Sequence, residues 1–153
     1  MSDVDARLKE LGLELPEPVA PVANYVPFVR SGDLVHVSGQ IAKGPDGLVT
    51  GVLGQNLDVA GGQAAARYCA LNLIAQFKIA CDGDLDRVRR VVKLGGFVAA
   101  DPSFTDVPQV INGASDLIGQ VFGEKGRHAR SAVGVAALPL GTAVEIDAVI
   151  EIG

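Results

Sequence analysis

His128-Ala129-Arg130-Ser131-Ala132-Val133-Gly134-Val135-Ala136-Ala137-Leu138-Pro139-Leu140-Gly141-Thr142-Ala143-Val144-Glu145-Ile146-Asp147-Ala148-Val149-Ile150-Glu151-Ile152 is the stretch from which the fold is read. Two strand-like runs flank Leu138-Pro139-Leu140-Gly141, where proline suits the second position of a tight turn and glycine the last. The pattern predicts an antiparallel hairpin with Val135 opposite Val144, Val133 opposite Ile146 and Ser131 opposite Ala148. One predicted face is apolar: Val133, Val135, Ala137, Val144, Ile146, Ala148, Ile150 and Ile152. The other carries Arg130, Ala132, Gly134, Ala136, Ala143, Glu145, Asp147, Val149 and Glu151, whose small residues suit close approach by a ligand, another layer or another subunit. On that register Arg130 and Glu145 share a face, about 13 Å apart along the strands. That is too far for a direct pair, but it suits opposite ends of a small site or sites shared between subunits. Asp147 and Glu151 have the parity of Glu145 and compete with it as partners of Arg130.

Outward from this stretch, the chain predicts strands, helix, strand, helix, then the hairpin. Val4 to Leu11 reads as a short helix, followed by an extended arm with Pro16, Pro18 and Pro21. Tyr25 to Arg30 and Leu34 to Gln40 pair through Ser31-Gly32-Asp33, and alternation puts Leu34, His36, Ser38 and Gln40 on one strand face. Lys43 to Gly54 is glycine-rich and reads as a loop with a short edge strand near Leu48 to Val52. Asp58 can cap a long helix to about Ala80, with Ala64, Cys69, Ala70, Leu71, Leu73, Ile74 and Phe77 on its buried stripe. Cys81, in the following turn, is expected to be the more exposed cysteine. Val88 to Ala99 reads as a strand with a bulge at Gly95-Gly96. Asp106 and Pro108 open a second long helix whose stripe is Val110, Ile111, Ala114, Leu117, Ile118, Val121 and Phe122. The order implies an α+β sandwich: a mixed sheet with two long helices on one face and the other face open to oligomerisation.

A chain of 153 residues, 48% hydrophobic and 20% charged, is long enough for one domain with its own core. The expected organisation is a single domain over 1–153, with 1–23 as the helix and proline-rich arm. A formal net charge of -5 disfavours a general binder of nucleic acid or anionic membrane. The local basic cluster is Arg87, Arg89, Arg90 and Lys93. Two cysteines, Cys69 and Cys81, give neither a disulfide framework nor metal-ligand spacing. The charged N-terminal residues do not read as a secretory segment, and no apolar run is long enough to span a bilayer. A cytoplasmic protein is the resulting expectation.

Among candidate chemistries, Arg130 offers a rigid donor fork for a carboxylate. Glu145 could take a proton or orient a water if its surroundings raise its pKa. Either residue could equally form a structural or interface ion pair. His36 and His128 have no metal-like neighbours in the sequence. Gly51-Val52-Leu53-Gly54 lacks the residues of a phosphate loop, and neither Ser38 nor Ser131 sits in a nucleophile motif.

Asn24-Tyr25-Val26-Pro27-Phe28-Val29-Arg30, Leu34-Val35-His36-Val37-Ser38-Gly39-Gln40, Asn112, Arg130-Ser131-Ala132-Val133, Leu138-Pro139 and Val144-Glu145-Ile146 together resemble the RidA (YjgF/L-PSP endoribonuclease) family. The closer likeness is to its longer branch, which has a proline-rich N-terminal arm. The resemblance implies a chorismate-mutase-like α+β fold and a homotrimer with clefts between subunits. It also implies hydrolysis of enamines and imines derived from amino acids to 2-oxo acids and ammonia, with no metal or organic cofactor. Arg130 matches the arginine that clamps the substrate carboxylate, and Glu145 the acid associated with the hydrolytic water. Tyr25, Ser38 and Asn112 match pocket or supporting positions. Ala132 stands where many deaminase members have cysteine, so a thiol there is not essential to any activity of this chain. Other relatives carry a ribonuclease or translation-inhibitor role. A carboxylate-binding oligomer without turnover is the second reading, ahead of the ribonuclease or translation-inhibitor role.

Overall fold

The computed structural model describes residues 1–18 and 23–153. The elements are α1 (Asp3–Glu10), β1 (Phe28–Ser31), β2 (Leu34–Ile41), β3 (Lys43–Gly44), β4 (Gly47–Leu48), α2 (Val59–Ala80), β5 (Val88–Ala99), α3 (Val107–Phe122), β6 (Ala129–Val135) and β7 (Val144–Ile152). Pro21 of the expected arm lies outside the described residues. Five strands form one sheet in the order β1-β2-β7-β5-β6, and β3 and β4 form a separate two-stranded ribbon.

The expected hairpin between β6 and β7 does not form. The turn is real: Gly141 N–H donates to the Leu138 carbonyl, and Leu140 takes a left-handed conformation at φ 57°. Beyond it, however, the strands separate around β5. Val144 lies against Val98, and Val135 against Ala99 in a parallel pairing. The reason is the element order strand–helix–strand. β5-α3-β6 is a parallel crossover, and a parallel neighbour satisfies β6 as well as a hairpin would while covering β5 on its second edge.

β2-α2-β5 is a second crossover, whose two strands are held apart by β7. Both crossovers step in the same direction along the sheet, so the common right-handed sense puts α2 and α3 on one face, where they pack together. β7 alternates buried and half-buried residues along its length. Val144, Ile146, Ala148, Ile150 and Ile152 point into the helix layer with Leu73, Ile74, Phe77, Ile111, Leu117 and Ile118. Removing each large apolar side chain from water stabilises the fold by about 1.5–3 kcal/mol. Among the described residues no helix lies on the other face of the sheet.

Small residues set the spacing. Gly113 of α3 rests on the Gln63 carbonyl of α2, and Gly96 lies beneath Ile111. Gly95 lies beneath the Asp147 carboxylate. These contacts, rather than a bulge, account for Gly95-Gly96, whose register is continuous; the irregularities in β5 fall between Val88 and Lys93. Ala64, expected in the buried stripe of α2, is exposed, and Ala66 is buried instead. Cys81, the C-cap of α2, is fully buried, as Cys69 is, and belongs to the same apolar core. α1 is capped reciprocally by Ser2 and Asp5 and pinned by an Asp5–Lys78 ion pair of 2.9 Å. Among the described residues no helix is long and apolar enough to cross a membrane.

Candidate functional site

Arg130 lies on the edge strand β6, in register with Leu94 and Ala148, both of which face the helices. Its side chain therefore turns toward α3. Nη1 donates to Asn112 Oδ1 at 2.8 Å and to Ser115 Oγ at 3.1 Å, and Nη2 donates to the Pro108 carbonyl at 3.4 Å. Pro108, Asn112 and Ser115 recur at helical spacing, so one face of α3 supplies all three acceptors. All three are neutral, and among the described residues Arg130 has no acidic partner. A guanidinium has five N–H groups. Among the described residues Nε–H and one of the two Nη2–H groups have no partner, and these donors are available to a carboxylate.

Glu145 is elsewhere. It stands in register with Ile41, Phe97 and Val133, on the face away from the helices. The shared face expected for Arg130 and Glu145 is thus corrected. With β5 between β6 and β7, Arg130 falls in the row of Ala148, while Glu145, Asp147, Val149 and Glu151 point the other way. Neither Asp147 nor Glu151 can pair with Arg130 within the chain. The Asp147 carboxylate instead lies against Gly95 and close to Lys93.

Glu145 packs against Gly39, where a Cβ would come within 2.7 Å of Oε1. Gly39 belongs to an irregularity of β2 between Val37 and Gln40. That irregularity also corrects the alternation expected for β2: Gln40 turns inward to lie opposite Ile146 and is buried, while Leu34 and His36 stay on the open face. Ser38 is held by its own N–H on the Pro27 carbonyl and by Oγ donating to the Val26 carbonyl, both 2.9 Å. These bonds tie Val26 and Pro27, which follow the exposed Tyr25 (49%), to the strand that carries Gly39. Burial, with a smaller contribution from the Asp147 charge, pushes the Glu145 carboxyl above its ordinary value. Asp147 is raised as well, again by burial.

The predicted residues therefore form two groups. Arg130 and Asn112 are joined directly at the β6–α3 edge. Tyr25, Ser38 and Glu145 gather near the β2 irregularity. Ser115, absent from the expected set, belongs to the first group; its signal was the three-residue spacing from Asn112 on the same helix face. A concavity of about 410 Å³ on the open face is lined by His36, Lys93, Phe97, Ser131 and Asp147. A larger one, about 560 Å³, runs between residues 12–17, Lys43–Pro45 and Tyr68 of α2. Neither includes Arg130 or Glu145. Among the described residues no group of three or more His, Cys, Asp or Glu could hold a metal ion.

Residues 5–151 match a family model described as "YjgF/chorismate_mutase-like, putative endoribonuclease". The chain is 58% identical over 151 residues to Protein TCP17 of Trypanosoma cruzi, covering 97% of this chain and 94% of that one. The crystal structure of Atu1372 from Agrobacterium tumefaciens superposes with a TM-score of 0.91 at 54% identity, over 98% of this chain and 92% of that one. The E. coli TdcF structure with bound serine superposes with a TM-score of 0.63 at 26% identity, over 92% and 96% of the two chains.

Proposed function

The chain belongs to the YjgF/chorismate-mutase-like family, and from that membership we propose that it is an enamine/imine deaminase, releasing 2-oxo acids and ammonia from reactive 2-imino acids. The observation that carries this reading is the Arg130 guanidinium. It is fixed by three neutral acceptors and keeps two N–H groups and its full charge for an incoming carboxylate. The serine held by TdcF carries the same α-carboxylate.

In this reading Arg130 holds the carboxylate of the imine. Glu145, its carboxyl raised by burial, orients a water for attack on the imine carbon and takes the proton that the water loses. Glu145 returns that proton to the nitrogen to give the neutral carbinolamine, whose hydroxyl proton then passes to the amine as the C–N bond breaks, so that ammonia and the 2-oxo acid leave and the Glu145 carboxylate is regenerated. Because the two groups lie on opposite faces of one sheet, the complete site combines Arg130 and Asn112 of one copy with Tyr25, Ser38 and Glu145 of a neighbour. A homotrimer with three such clefts satisfies this. Exposed Val29, Leu34 and Val133 on the open face support such packing. Chemistry on intermediates of amino-acid metabolism suits a cytoplasmic enzyme.

A carboxylate-binding role without turnover would use the same arginine. Ribonuclease activity has thinner support. Within the basic cluster Arg87 is engaged by Asp82 and the Gly153 carbonyl, and Arg90 by the Arg127 carbonyl. The deciding experiment follows ammonia and 2-oxo acid release from freshly generated 2-aminoacrylate, comparing wild type with Arg130→Ala at matched oligomeric state. The expected result is hydrolysis well above background that depends on Arg130. A wild-type rate equal to background overturns the deaminase reading.

A further inference from the structure

Behind Arg130 lies a second hydrogen-bonded chain that the proposed hydrolysis does not use. His128 Nδ1 is 2.6 Å from the Gly126 carbonyl, and Nε2 is 2.9 Å from Ser115 Oγ, the same oxygen that accepts from Arg130. The carbonyl can only accept, so Nδ1 carries a hydrogen. In the neutral ring Nε2 is then an acceptor and takes the Ser115 hydroxyl hydrogen. That leaves a Ser115 lone pair for Arg130 Nη1–H. The direction of every hydrogen bond in the chain is fixed.

We propose that Ser115 and His128 are positioning residues that make the grip of Arg130 on a carboxylate depend on the proton held by His128. The proposal rests on the reading of Arg130 as a carboxylate clamp. When the ring gains a second proton, Nε2 becomes a donor to Ser115. The hydroxyl hydrogen then turns toward a carbonyl one turn back in α3, a bond open to helical serines. Ser115 Oγ now accepts from two cations and binds each more weakly. The Arg130 guanidinium has a positive neighbour two hydrogen bonds away, and its donors are freer. A carboxylate arriving on Nε–H and Nη2–H relieves that repulsion, so anion binding and proton binding reinforce one another.

Other charged residues are neighbours of Ser115 and His128 in sequence or strand register, and none is hydrogen-bonded to the ring among the described residues. Asp116 follows Ser115 on α3, Glu124, Lys125 and Arg127 precede His128 in the chain, and Arg90 and Lys93 lie on β5. Glu124 and Arg127 face one another at 3.8 Å, and Arg90 donates to the Arg127 carbonyl. His36, the other histidine, is on the open face of the sheet and has no part in the chain.

The test is calorimetric titration of the native oligomer with benzoate at about pH 6 and about pH 8, in buffers of different ionisation enthalpy. Wild type is expected to bind about three- to tenfold more tightly at the lower pH and to take up protons on binding. Both effects should vanish in His128→Gln with binding retained; Ser115→Ala also removes one acceptor of Arg130, so it should lose both effects and bind benzoate more weakly, by the same factor at the two pH values. A readout that needs no variant of this network is the imidazole C2–H resonance of His128, assigned with His36→Gln; benzoate should move it toward its protonated position. Equal wild-type affinity at the two pH values without proton uptake overturns the relay and leaves the clamp intact. So does a pH dependence that survives in both variants. Failure of wild type to bind benzoate at either pH removes the clamp and the relay together.

Discussion

Arg130 and Glu145 stand on opposite faces of one sheet, the arginine against α3 and the glutamate against Gly39. No rotamer of either side chain brings them to one small molecule through the sheet. If both act on one substrate, they come from different copies of the chain.

Mixed oligomers test that directly. Arg130→Ala and Glu145→Gln should each be inactive alone. When the two are unfolded together and reassembled at equal amounts, about a quarter of the clefts regain an intact arginine from one copy and an intact glutamate from another. Activity should return to about that fraction of wild type. No recovery would place the reaction within a single copy.

Arg130→Lys separates charge from geometry. Lysine keeps the positive charge but cannot present two parallel donors while also bonding Asn112 and Ser115. Benzoate affinity should fall about tenfold in Arg130→Lys and about a hundredfold in Arg130→Ala, by equilibrium titration.

Gly39→Ala brings a methyl group within 2.7 Å of Oε1 of Glu145, too close for both to stay. The carboxylate end is flexible and can swing aside, so the thermal midpoint should change little. Turnover should drop about tenfold or more as the carboxylate loses its position. Benzoate binding at Arg130 should be unchanged.

Glu145 and Asp147 are both raised above their ordinary values, chiefly by burial. A carboxyl raised in the folded state favours folding when protonated. Its contribution is fully present below the unfolded value, about 4, and is lost as pH rises through the folded value. At neutral pH the ionised forms therefore cost stability. Glu145→Gln and Asp147→Asn should each unfold at higher temperature than wild type near neutrality, by an amount corresponding to about 0.5–1 kcal/mol after solvent screening. The difference should close at and below about pH 4, as followed by scanning calorimetry across the acid range.

Gly113→Ala acts on the fold. Its Cβ would meet the Gln63 carbonyl, a backbone atom that cannot rotate away. α2 and α3 must separate, and the denaturant midpoint should fall by an amount corresponding to about 2–4 kcal/mol.

Both long helices were legible in the sequence because their signals are local. The apolar spacing from Val110 to Phe122 and the Asp58 cap specify a helix and its buried side without reference to any other part of the chain. Strand existence was legible for the same reason, and Val88 to Ala99 is a strand over the expected range. Strand partnership was not. Pro139 and Gly141 make a turn, yet a turn does not oblige the strands beside it to pair. Whether β6 meets β7 or β5 depends on a crossover through α3. Because side chains alternate at every residue, that one pairing decision moved Arg130 to the face away from Glu145. Asn112 was legible only through family likeness, as a pocket or supporting position, and its bond to Arg130 was not foreseen. Ser115 and His128 were missed because serine and histidine at such spacing are common and carry no motif.

β7 follows every other element in the chain, yet it occupies the middle of the sheet, hydrogen-bonded to β2 on one side and β5 on the other. A ribosome that has made everything up to Gly141 has produced both helices and four of the five strands of the main sheet, with an open slot where their apolar undersides should be lined. The main sheet therefore closes only after β7 has been made, and among the described residues no earlier strand fills that slot before Ile152 has emerged.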